Sequence, residues 1–433
     1  MGCSKNLVDS ERLMRRLQAK GYRPEHNSAD VRGPLVVVNT CGFIADAKQE
    51  SIDMILELAE AKADGHIRQL MVMGCLSQRH GQELKPEIPE VDRWYGKFAW
   101  EELVDELPTL RPAPAPRTWE RNITTPPYST FLKISEGCDR MCAYCAIPLI
   151  TGRHRSRPME EIIDETRDLV AKGVKEFNVI AQDLSAYGKD RYGTLMLPEL
   201  VERMSDVPGV EWIRLHYAYP TDFPWELTKV MRERENVCSY LDIALQHIST
   251  TVLTNMRRHI DSAQTYDLIA RLRDEVPGIR LRTTLMTGFP GEGEKEFAEL
   301  LEFMERVRFD RLGAFAYCEE DDTWAARNLK DVIPQEIKEQ RLEQVMSLQQ
   351  DISYDLHQRL IGERVKVLVE ENNDGELVGR TQWDSPEVDP QVIITDLAAG
   401  ADSDRHMETI KPGDFVQSEI TGAEAFELYG KLL

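Results

Sequence analysis

The chain has 433 residues, 42% of them hydrophobic and 30% charged, which is ordinary for a globular protein of two or three domains. Its apolar runs are much shorter than a membrane span, and its first residues lack the basic-then-apolar order of a secretory signal. We therefore expect a cytoplasmic protein without a membrane partner. The formal net charge of −22 disfavours nucleic acid, because phosphate binding needs Lys and Arg clusters; it suits a basic partner, or simply confers solubility.

The first part of the chain alternates strands and helices. Continuous apolar runs at 34–39 and 69–74 are typical of strands that are buried on both faces. Asp9 or Ser10 can cap a helix that ends at Gly21. These patterns predict an open, Rossmann-like α/β sheet.

Strand and helix alternate six times in the middle of the chain, after a proline-rich stretch. The prolines fix φ and remove backbone donors, so the stretch is predicted to be an extended connector. Repetition of strand and helix predicts a partial β/α (TIM-like) barrel, whose chemistry lies in the loops at the carboxyl ends of the strands. The strands are predicted at 131–135, 176–182, 211–217, 240–246, 280–288 and 311–317.

Short strands separated by Gly, Asn and Asp follow a long amphipathic helix near the end of the chain. Their pattern predicts a small antiparallel β-barrel. The predicted organisation is therefore an N-terminal domain at 1–107, a linker at 108–127, a β/α barrel at 128–360 and the small barrel at 361–433.

Three cysteines, Cys138, Cys142 and Cys145, directly follow the first strand of the predicted barrel and so lie at its mouth. Their C-x3-C-x2-C spacing predicts bound metal rather than structural cysteines. Structural zinc sites are usually closed by four ligands. Three thiolates instead suit an iron–sulfur cluster in which one iron is left open for a small molecule.

A second, dispersed trio is formed by Cys3, Cys41 and Cys75. Cys41 and Cys75 each follow a buried strand and precede a helix, and Cys3 precedes a helix in the same way. Equivalent positions of this kind meet at one end of a parallel sheet, although three unrelated buried cysteines are the alternative. Of the two remaining cysteines, Cys238 is predicted to lie in the core, and Cys318 to be a small apolar residue at the end of the sixth strand.

The sequence resembles the radical S-adenosylmethionine (SAM) methylthiotransferases over essentially its whole length. The resemblance rests on "GCSKNLVDSE", "VVNTCGFI", "MGCL", "KISEGCDRMCAYCAIP", "LQHIS", "MRR", "TGFPGE" and a terminal TRAM-type barrel. It implies two 4Fe–4S clusters, one on each trio. It also implies two roles for SAM, as methyl donor and as source of a 5′-deoxyadenosyl radical that abstracts a substrate hydrogen. A methylated sulfur on the auxiliary cluster is then delivered to the carbon radical. An electron donor such as flavodoxin or ferredoxin is implied as well.

Residues at the ends of the barrel strands are expected to hold SAM in such a family member. Gln182 and Asp183 stand where this superfamily contacts the methionine amino group. The ribose or adenine is expected at Gln246 and at the "TGFPGE" loop. The full predicted set is Tyr144, Gln182, Asp183, Gln246, Gly288 and Glu292.

Three further groups near the mouth have less specific signals. His216 and His247 also end strands, where a satisfied histidine is more common than a catalytic one. The basic residues of 152–157 either hold a carboxylate of cofactor or substrate, or pair with local acids. The acidic run 319–322 is expected to add negative charge to the mouth, or to be a solvated loop.

Two branches of the family modify different substrates, an adenosine in transfer RNA or the β-carbon of an aspartate of small-subunit ribosomal protein twelve. "GRTQWDSPEVDPQVII" and the ending "EAFELYGKLL" are similar to the ribosomal-protein branch. Residues 361–433 contain six cations and sixteen acids, a net charge of −10, which repels a phosphate backbone and attracts a basic protein. The alternatives are the transfer-RNA enzyme and, from another class, a non-enzymatic iron–sulfur carrier or RNA-binding module.

The small barrel is expected to capture the protein substrate through its charge. Glu387 and Asp389, in the "DSPEVDP" loop, are expected to contribute, unless that loop only packs the barrel against the enzyme. We also expect deletion of the small barrel to leave SAM cleavage intact.

Overall fold

The computed structural model describes residues 2–28, 31–111, 113–398 and 407–433. Its N-terminal part is a three-stranded parallel sheet in the order β1–β2–β3, flanked by helices. Apolar side chains from both faces of β2 fill two cores, so this strand is buried on both sides. The elements are α1 (Ser4–Ala19), β1 (Gly33–Thr40), α2 (Ala45–Ala63), β2 (Ile67–Gly74), α3 (Cys75–Glu87), β3 (Arg93–Trp94) and α4 (Trp100–Glu106).

The central part is a six-stranded parallel sheet in the order β11–β10–β9–β8–β7–β4, as expected for a partial β/α barrel. Its strands are β4 (Ser129–Lys133), β7 (Glu176–Ile180), β8 (Trp212–Ala218), β9 (Val237–Ile243), β10 (Arg280–Thr287) and β11 (Arg311–Ala316), and a short pair is formed by β5 (Ser135–Glu136) and β6 (Arg155–Ser156). Its helices are α5 (Ile147–Thr151), α6 (Met159–Ala171), α7 (Lys189–Tyr192), α8 (Leu197–Ser205), α9 (Glu226–Glu233), α10 (Thr250–Asn255), α11 (Ser262–Glu275), α12 (Glu294–Val307), α13 (Trp324–Asn328) and α14 (Gln335–Gln358).

The last part is a closed five-stranded barrel in the order β12–β13–β14–β16–β15. Four of its pairs are antiparallel as predicted, whereas β14 and β16 are parallel. The parallel pair arises because β15 pairs with β12 on the other side of the barrel, and the β15–β16 hairpin then brings β16 beside β14. The strands are β12 (Arg364–Asn373), β13 (Glu376–Thr381), β14 (Gln391–Leu397), β15 (Phe415–Ala423) and β16 (Glu427–Leu432), with a 3-10 turn at Met407–Thr409.

The predicted start of the first helix was wrong. The helix begins at Ser4, so Cys3 is its N-cap residue and Asp9 lies inside it. Asp9 does not cap because it is buried, and its carboxylate binds the ammonium groups of Lys97 and Lys133. These two pairs and the Lys133–Glu136 pair form a buried seam between the N-terminal sheet and the barrel.

The small barrel packs against the amino ends of the central strands. Glu176, the first residue of β7, binds Arg214 at 2.9 Å and Arg380 of the small barrel at 2.7 Å, and all three are fully buried. Asp389 also belongs to this interface, since its carboxylate pairs with Arg282 and its side chain is only 2% exposed. The expectation that Asp389 attracts a distant partner was therefore wrong, because Arg282 neutralises its charge inside the protein.

None of the helices in the described ranges has both the length and the apolar character needed to span a bilayer.

Candidate active site at the barrel mouth

The loop after β5 carries Cys138, Cys142 and Cys145. Gly137 starts this loop with φ of +79°, and a Cβ there would collide with the carbonyl group of Arg153. The amide of Cys138 donates to the carbonyl of Gly152 at 3.2 Å, and that of Cys145 to the carbonyl of Cys142 at 3.1 Å. These contacts fold the loop back on itself, and the charges of Cys142 and Cys138 both reach the thiol of Cys145.

Burial dominates the electrostatics of these thiols. It raises the pKa of Cys138 to about 12, and Asp183 and Cys142 add to the effect. Burial also raises the pKa of Cys145, with Cys142 as the next cause. Thiols of this kind become thiolates when they bind a cation, so their donor set fits iron. In the described residues no three His, Cys, Asp or Glu side chains are grouped around a point for a single ion; an iron–sulfur cluster uses a different iron for each thiolate.

Arg258 lies beside the cysteine loop and was missed as a site residue in the sequence. Its Nη1 donates to Cys142 Sγ at 3.2 Å and to Tyr144 Oη at 3.3 Å. Its guanidinium also stacks 4.2 Å from the ring centroid of Tyr219, whose Oη lies 3.6 Å from Cys142 Sγ. The "MRR" segment was part of the family resemblance, but its spacing did not indicate which arginine contacts the cysteine loop.

Three buried oxygens at the mouth have no hydrogen-bond partner in the part of the chain that the structure describes. They are Gln182 Oε1, Asp183 Oδ1 and Gln246 Oε1, each just beyond the end of β7 or β9. In two of these side chains the other polar atom is held by the protein. Gln182 Nε2 donates to Glu136 at 3.0 Å, and Asp183 Oδ2 accepts from Arg140 at 2.6 Å. Buried acceptors without partners are costly, so these residues fit a ligand that brings amine and hydroxyl donors.

Glu292 stabilises the "TGFPGE" loop through both of its side-chain oxygens. Glu292 Oε1 accepts from the amide of Gly288 and from Arg341, both at 2.9 Å, and Oε2 lies 3.1 Å from His247 Nε2. Both oxygens are thus engaged by the protein. Gly288 has φ of +74°, and a Cβ would meet the side chain of Lys338, so the turn requires glycine.

The two histidines at strand ends are satisfied. His247 Nδ1 accepts from the amide of Ser249 at 3.0 Å, which leaves Nε2 as the donor to Glu292. His216 Nε2 lies 3.2 Å from Asn178 Oδ1. Burial, together with the charge of Arg214, holds the pKa of His216 well below its usual value.

The second trio lies around the ends of β1 and β2. Cys41 follows β1, Cys75 follows β2 and opens α3, and Cys3 precedes α1. Burial raises the pKa of Cys75 to about 12, and the thiols of Cys3 and Cys41 are close enough to contribute. Asn6 links the group, since its amide nitrogen donates to the carbonyl of Thr40 at 3.0 Å and its oxygen lies 3.7 Å from Cys75 Sγ.

Cys75 also connects the two trios. Its side chain packs in one small apolar cluster with Ala146, which directly follows Cys145 in the chain, and with Ile150 of α5. Lys97 of the seam lies nearby, since its charge lowers the pKa of Cys75 against the effect of burial. The mouth of the barrel and the cysteine end of the N-terminal sheet therefore face each other.

Two charged runs are largely engaged in structural contacts. In 152–157, Arg157 pairs with Glu165 at 2.7 Å, and Arg155 stacks 4.7 Å from the ring centroid of Phe98. In 319–322, Glu320 is buried and binds Lys48 of α2 at 2.8 Å and Arg79 of α3 at 3.0 Å. Glu320 is thus neutralised by two cations, whereas Glu319, Asp321 and Asp322 are exposed, so added negative charge at the mouth stays a prediction for the rest of the run.

The two isolated cysteines differ. Cys238 is fully buried beside Trp212 and Tyr240, as predicted. Cys318 is exposed at the end of β11, so its prediction as a packed apolar residue was wrong. The strand ends before it, and the chain turns outward toward Glu319.

Three segments of the chain match known protein families. Residues 132–304 match the Radical SAM superfamily, residues 1–96 match Uncharacterized protein family UPF0004, and residues 361–433 match the TRAM domain. The solved structure of the radical S-adenosylmethionine methyltransferase TsrM from Kitasatospora setae, with tryptophan substrate and a SAM analog bound, has a similar fold. Its TM-score is 0.53 at 15% identity, over 72% of this chain and 70% of that chain. The fold and the cysteine loop define a radical SAM enzyme.

Full-length relatives narrow this class. The chain is 56% identical to the ribosomal protein uS12 methylthiotransferase RimO of Phocaeicola vulgatus, over 100% of this chain and 98% of the relative. It is 54% identical to RimO of Parabacteroides distasonis with the same coverage, and 45% identical to RimO of Cytophaga hutchinsonii over 100% and 96%. The chain belongs to the RimO family of radical SAM methylthiotransferases. The predicted family, fold class and enzyme class are confirmed, and the family carries an iron–sulfur cluster and uses SAM.

Proposed function

We propose that this enzyme inserts a methylthio group at the β-carbon of an aspartate of small-subunit ribosomal protein uS12. The observation that carries the proposal is the packing of Cys75 against Ala146 and Ile150, because it sets two cysteine trios side by side at one mouth. Sulfur insertion into an unactivated carbon needs both a hydrogen-abstracting centre and a sulfur donor within reach of the same atom. Two neighbouring trios would meet that need.

Each trio is proposed to hold its own 4Fe–4S cluster. Cys138, Cys142 and Cys145 would hold the cluster whose open iron binds SAM, and the second trio, Cys3, Cys41 and Cys75, the auxiliary cluster. When bound, the clusters and SAM supply one-electron chemistry and the sulfur. We propose domain boundaries at 107, 127 and 360, which separate the N-terminal domain, the linker, the β/α barrel and the small barrel.

The chain's own residues bind and orient the cofactor. Arg258 donates to Cys142 Sγ and so stabilises negative charge on that thiolate. We propose that the free oxygens of Gln182 and Asp183 accept from the methionine amino group, and that of Gln246 from the ribose. Tyr144 packs at the edge of Phe289, within an apolar cluster that excludes water from the mouth.

The substrate assignment rests on the relatives and on charge. The relatives are named for ribosomal protein uS12, and residues 361–433 carry a net charge of −10 that favours a basic protein over transfer RNA. Such a substrate places the enzyme in the cytoplasm, where flavodoxin or ferredoxin can supply electrons.

The first experiment separates the two trios. Cys142→Ala should abolish 5′-deoxyadenosine formation and leave about half the iron of the wild type, because one of two clusters is lost. Cys41→Ala should spare uncoupled SAM cleavage and stop methylthio insertion. Cys238→Ala is the matched control, since this thiol is buried in the core and should change neither. Full iron content and activity in Cys41→Ala would contradict a second cluster.

The second experiment identifies the substrate. Anaerobic reaction with uS12, followed by mass spectrometry, should show one added methylthio group on an aspartate. Binding of uS12 and of bulk transfer RNA is then compared at two salt concentrations. Tighter binding of transfer RNA by the wild-type enzyme would overturn the ribosomal assignment.

A further inference from the structure

Lys5 is a cation at the junction, the region where the trio of Cys3, Cys41 and Cys75 faces the barrel mouth. Its ammonium group forms no ion pair and no hydrogen bond among the described residues. It lies in α1, two residues after Cys3. The other lysines of this junction, Lys97 and Lys133, are buried and fully paired with acids of the seam. Lys5 is only half-buried, so its ammonium remains available to an incoming group.

The aromatic ring of Tyr217 holds this ammonium in place. Lys5 Nζ lies 3.4 Å from the ring centroid, which is close contact for a cation on an aromatic face. Tyr217 stands near the end of β8 with φ of +67°, a left-handed conformation that is strained for an aromatic residue. Its side chain is 38% exposed. The strained backbone thus presents the ring, and the lysine above it, at the barrel mouth.

The charge of Lys5 acts on the buried Asp242, but the two side chains form no ion pair in the described residues. Asp242 and Arg282 are register partners on β9 and β10, and Arg282 also pairs with Asp389. Burial raises the pKa of Asp242 to about 6, and the charges of Arg282 and Lys5 oppose this increase. Arg282 is paired with Asp389, and the ammonium of Lys5 has only the ring of Tyr217 as a neighbour among the described contacts, so its hydrogen-bond donors are available to another oxygen.

We propose that Lys5 binds the side-chain carboxylate of the substrate aspartate and so orients its β-carbon between the two trios. This inference rests on the proposed function and adds a substrate-binding residue to it. A lysine ammonium is a compact charge with three donors, and a carboxylate is its natural partner. Lys5 reaches the mouth from the same helix end that Cys3 caps, so the bound carboxylate would lie beside the sulfur-donating trio.

A double-mutant cycle between enzyme and substrate tests the contact. The substrate is uS12 with its modified aspartate either intact or replaced by asparagine, and the dissociation constant is measured anaerobically on reconstituted enzyme. The wild type should bind the aspartate form ~10-fold more tightly, because a charge-assisted hydrogen bond becomes a neutral one. Lys5→Met should reduce that preference to ~1, and Lys5→Arg should retain part of it.

The matched control is Arg257→Met. Arg257 also carries its charge over an aromatic ring, 5.2 Å from the centroid of Trp324, but not at the junction. It should retain the ~10-fold preference. The iron and sulfide content of each variant shows whether the substitution disturbs Cys3. The preference of the wild type for the aspartate over the asparagine form of uS12 is measured without any enzyme variant.

The outcomes separate this inference from the proposed function. If the wild type forms no methylthio product from uS12, the proposed function fails. If it forms product but binds both substrate forms equally, or if Lys5→Met keeps the full preference, Lys5 does not bind the carboxylate and only this inference fails.

Discussion

Arg258 donates a hydrogen bond to Cys142, one of the three proposed ligands of the barrel-mouth cluster. Its two terminal nitrogens donate to Cys142 Sγ, Tyr144 Oη and the carbonyl of Ala244. A positive charge and a hydrogen bond at a thiolate stabilise the reduced, more negative form of an iron–sulfur cluster. The residue is therefore placed to set how easily the electron that starts the reaction is accepted.

Replacing Arg258 should change the reduction potential. We expect Arg258→Gln to shift the potential of the Cys138–Cys145 cluster by ~60 mV to more negative values, equivalent to a tenfold change for one electron. A redox titration followed by electron paramagnetic resonance measures the shift. Arg257→Gln, one residue away and directed at Trp324, should leave the potential unchanged. Equal shifts in both variants would show a general effect of net charge.

The cysteines could be predicted from the sequence and Arg258 could not, for a physical reason. Cysteine spacing and the positions of strands are local properties, so they identify a metal loop and its location. The contact between Arg258 and Cys142 joins residues 116 apart, and only the folded barrel brings them together. Likewise, Lys5 is one unremarkable cation in the sequence until Tyr217 is placed beneath it.

At the scale of elements, Glu320 fastens the loop after β11 to the helices that follow Cys41 and Cys75. It binds Lys48 of α2 and Arg79 of α3 and is nearly inaccessible. Removing one partner of a buried ion pair costs ~3–5 kcal/mol, because a charge is left unpaired. This contact therefore holds the two cysteine-bearing units together on the side away from the seam.

Glu320→Gln should uncouple the reaction. With the loop released, SAM cleavage should continue while methylthio product per 5′-deoxyadenosine falls severalfold. Product analysis measures the ratio, and hydrogen exchange at 318–323 should become faster. The exposed neighbour Glu319 offers the control, since Glu319→Gln removes the same charge without an ion pair in the described structure. Unchanged coupling in Glu320→Gln would limit the contact to stability.

His357 joins α14 to the small barrel and makes stability depend on pH. Its Nε2 accepts from Arg311 at 3.0 Å, and its Nδ1 donates to the carbonyl of Glu424 at 2.8 Å, so the ring is neutral. Burial, helped by the charge of Arg311, lowers the pKa of His357 to about 4. The unfolded chain binds this proton near pH 6.5, so the contribution is complete above that pH and is lost as the pH falls toward 4.

The expected loss of stability is about 3 kcal/mol across that interval. Urea unfolding of the metal-free wild type and of His357→Gln, measured from pH 7 to pH 4, gives the comparison. The wild type should lose more stability than the variant as the pH falls, and Asp242, whose pKa is raised, cancels because both proteins contain it. Parallel pH profiles would contradict the assignment.

Element types could be predicted better than element ends. Apolar runs gave all six barrel strands to within a few residues, because burial on both faces is visible as continuous hydrophobicity. The start of α1 was misplaced because Asp9 is a good cap by local rules, whereas its partner Lys133 is 124 residues away. The parallel β14–β16 pair was missed because strand order in a closed barrel depends on connections with no local pattern.

At the scale of the whole molecule, the small barrel is part of the enzyme rather than a detachable module. Its Arg380 pairs with Glu176, its Asp384 binds Arg311 at 2.5 Å, and its Asp389 pairs with Arg282. Deletion of 361–433 would leave these buried charges unpaired. The expectation that deletion spares SAM cleavage is therefore replaced by loss of the folded barrel.

Charge on the exposed face can be tested without deletion. A variant with four exposed acids neutralised, Glu371→Gln, Asp374→Asn, Glu376→Gln and Glu387→Gln, should associate with uS12 ~10-fold more slowly at low salt. The difference should vanish at high salt, and dissociation should hardly change. Stopped-flow binding measures both rates. Asp389→Asn is the contrasting variant: its charge is paired with Arg282, so it should lower unfolding stability and leave the salt dependence of association unchanged.

The buried seam also limits how the substrate reaches the mouth. Asp9 holds two lysines that are almost inaccessible to solvent, and separating the domains would cost more than ~5 kcal/mol, so fewer than about one molecule in 5,000 is open at any time. Turnover must therefore proceed with the two domains closed. An aspartate on a flat or recessed surface could not enter, whereas one at the tip of a protruding loop could. Shape thus selects the target residue before charge or chemistry acts on it.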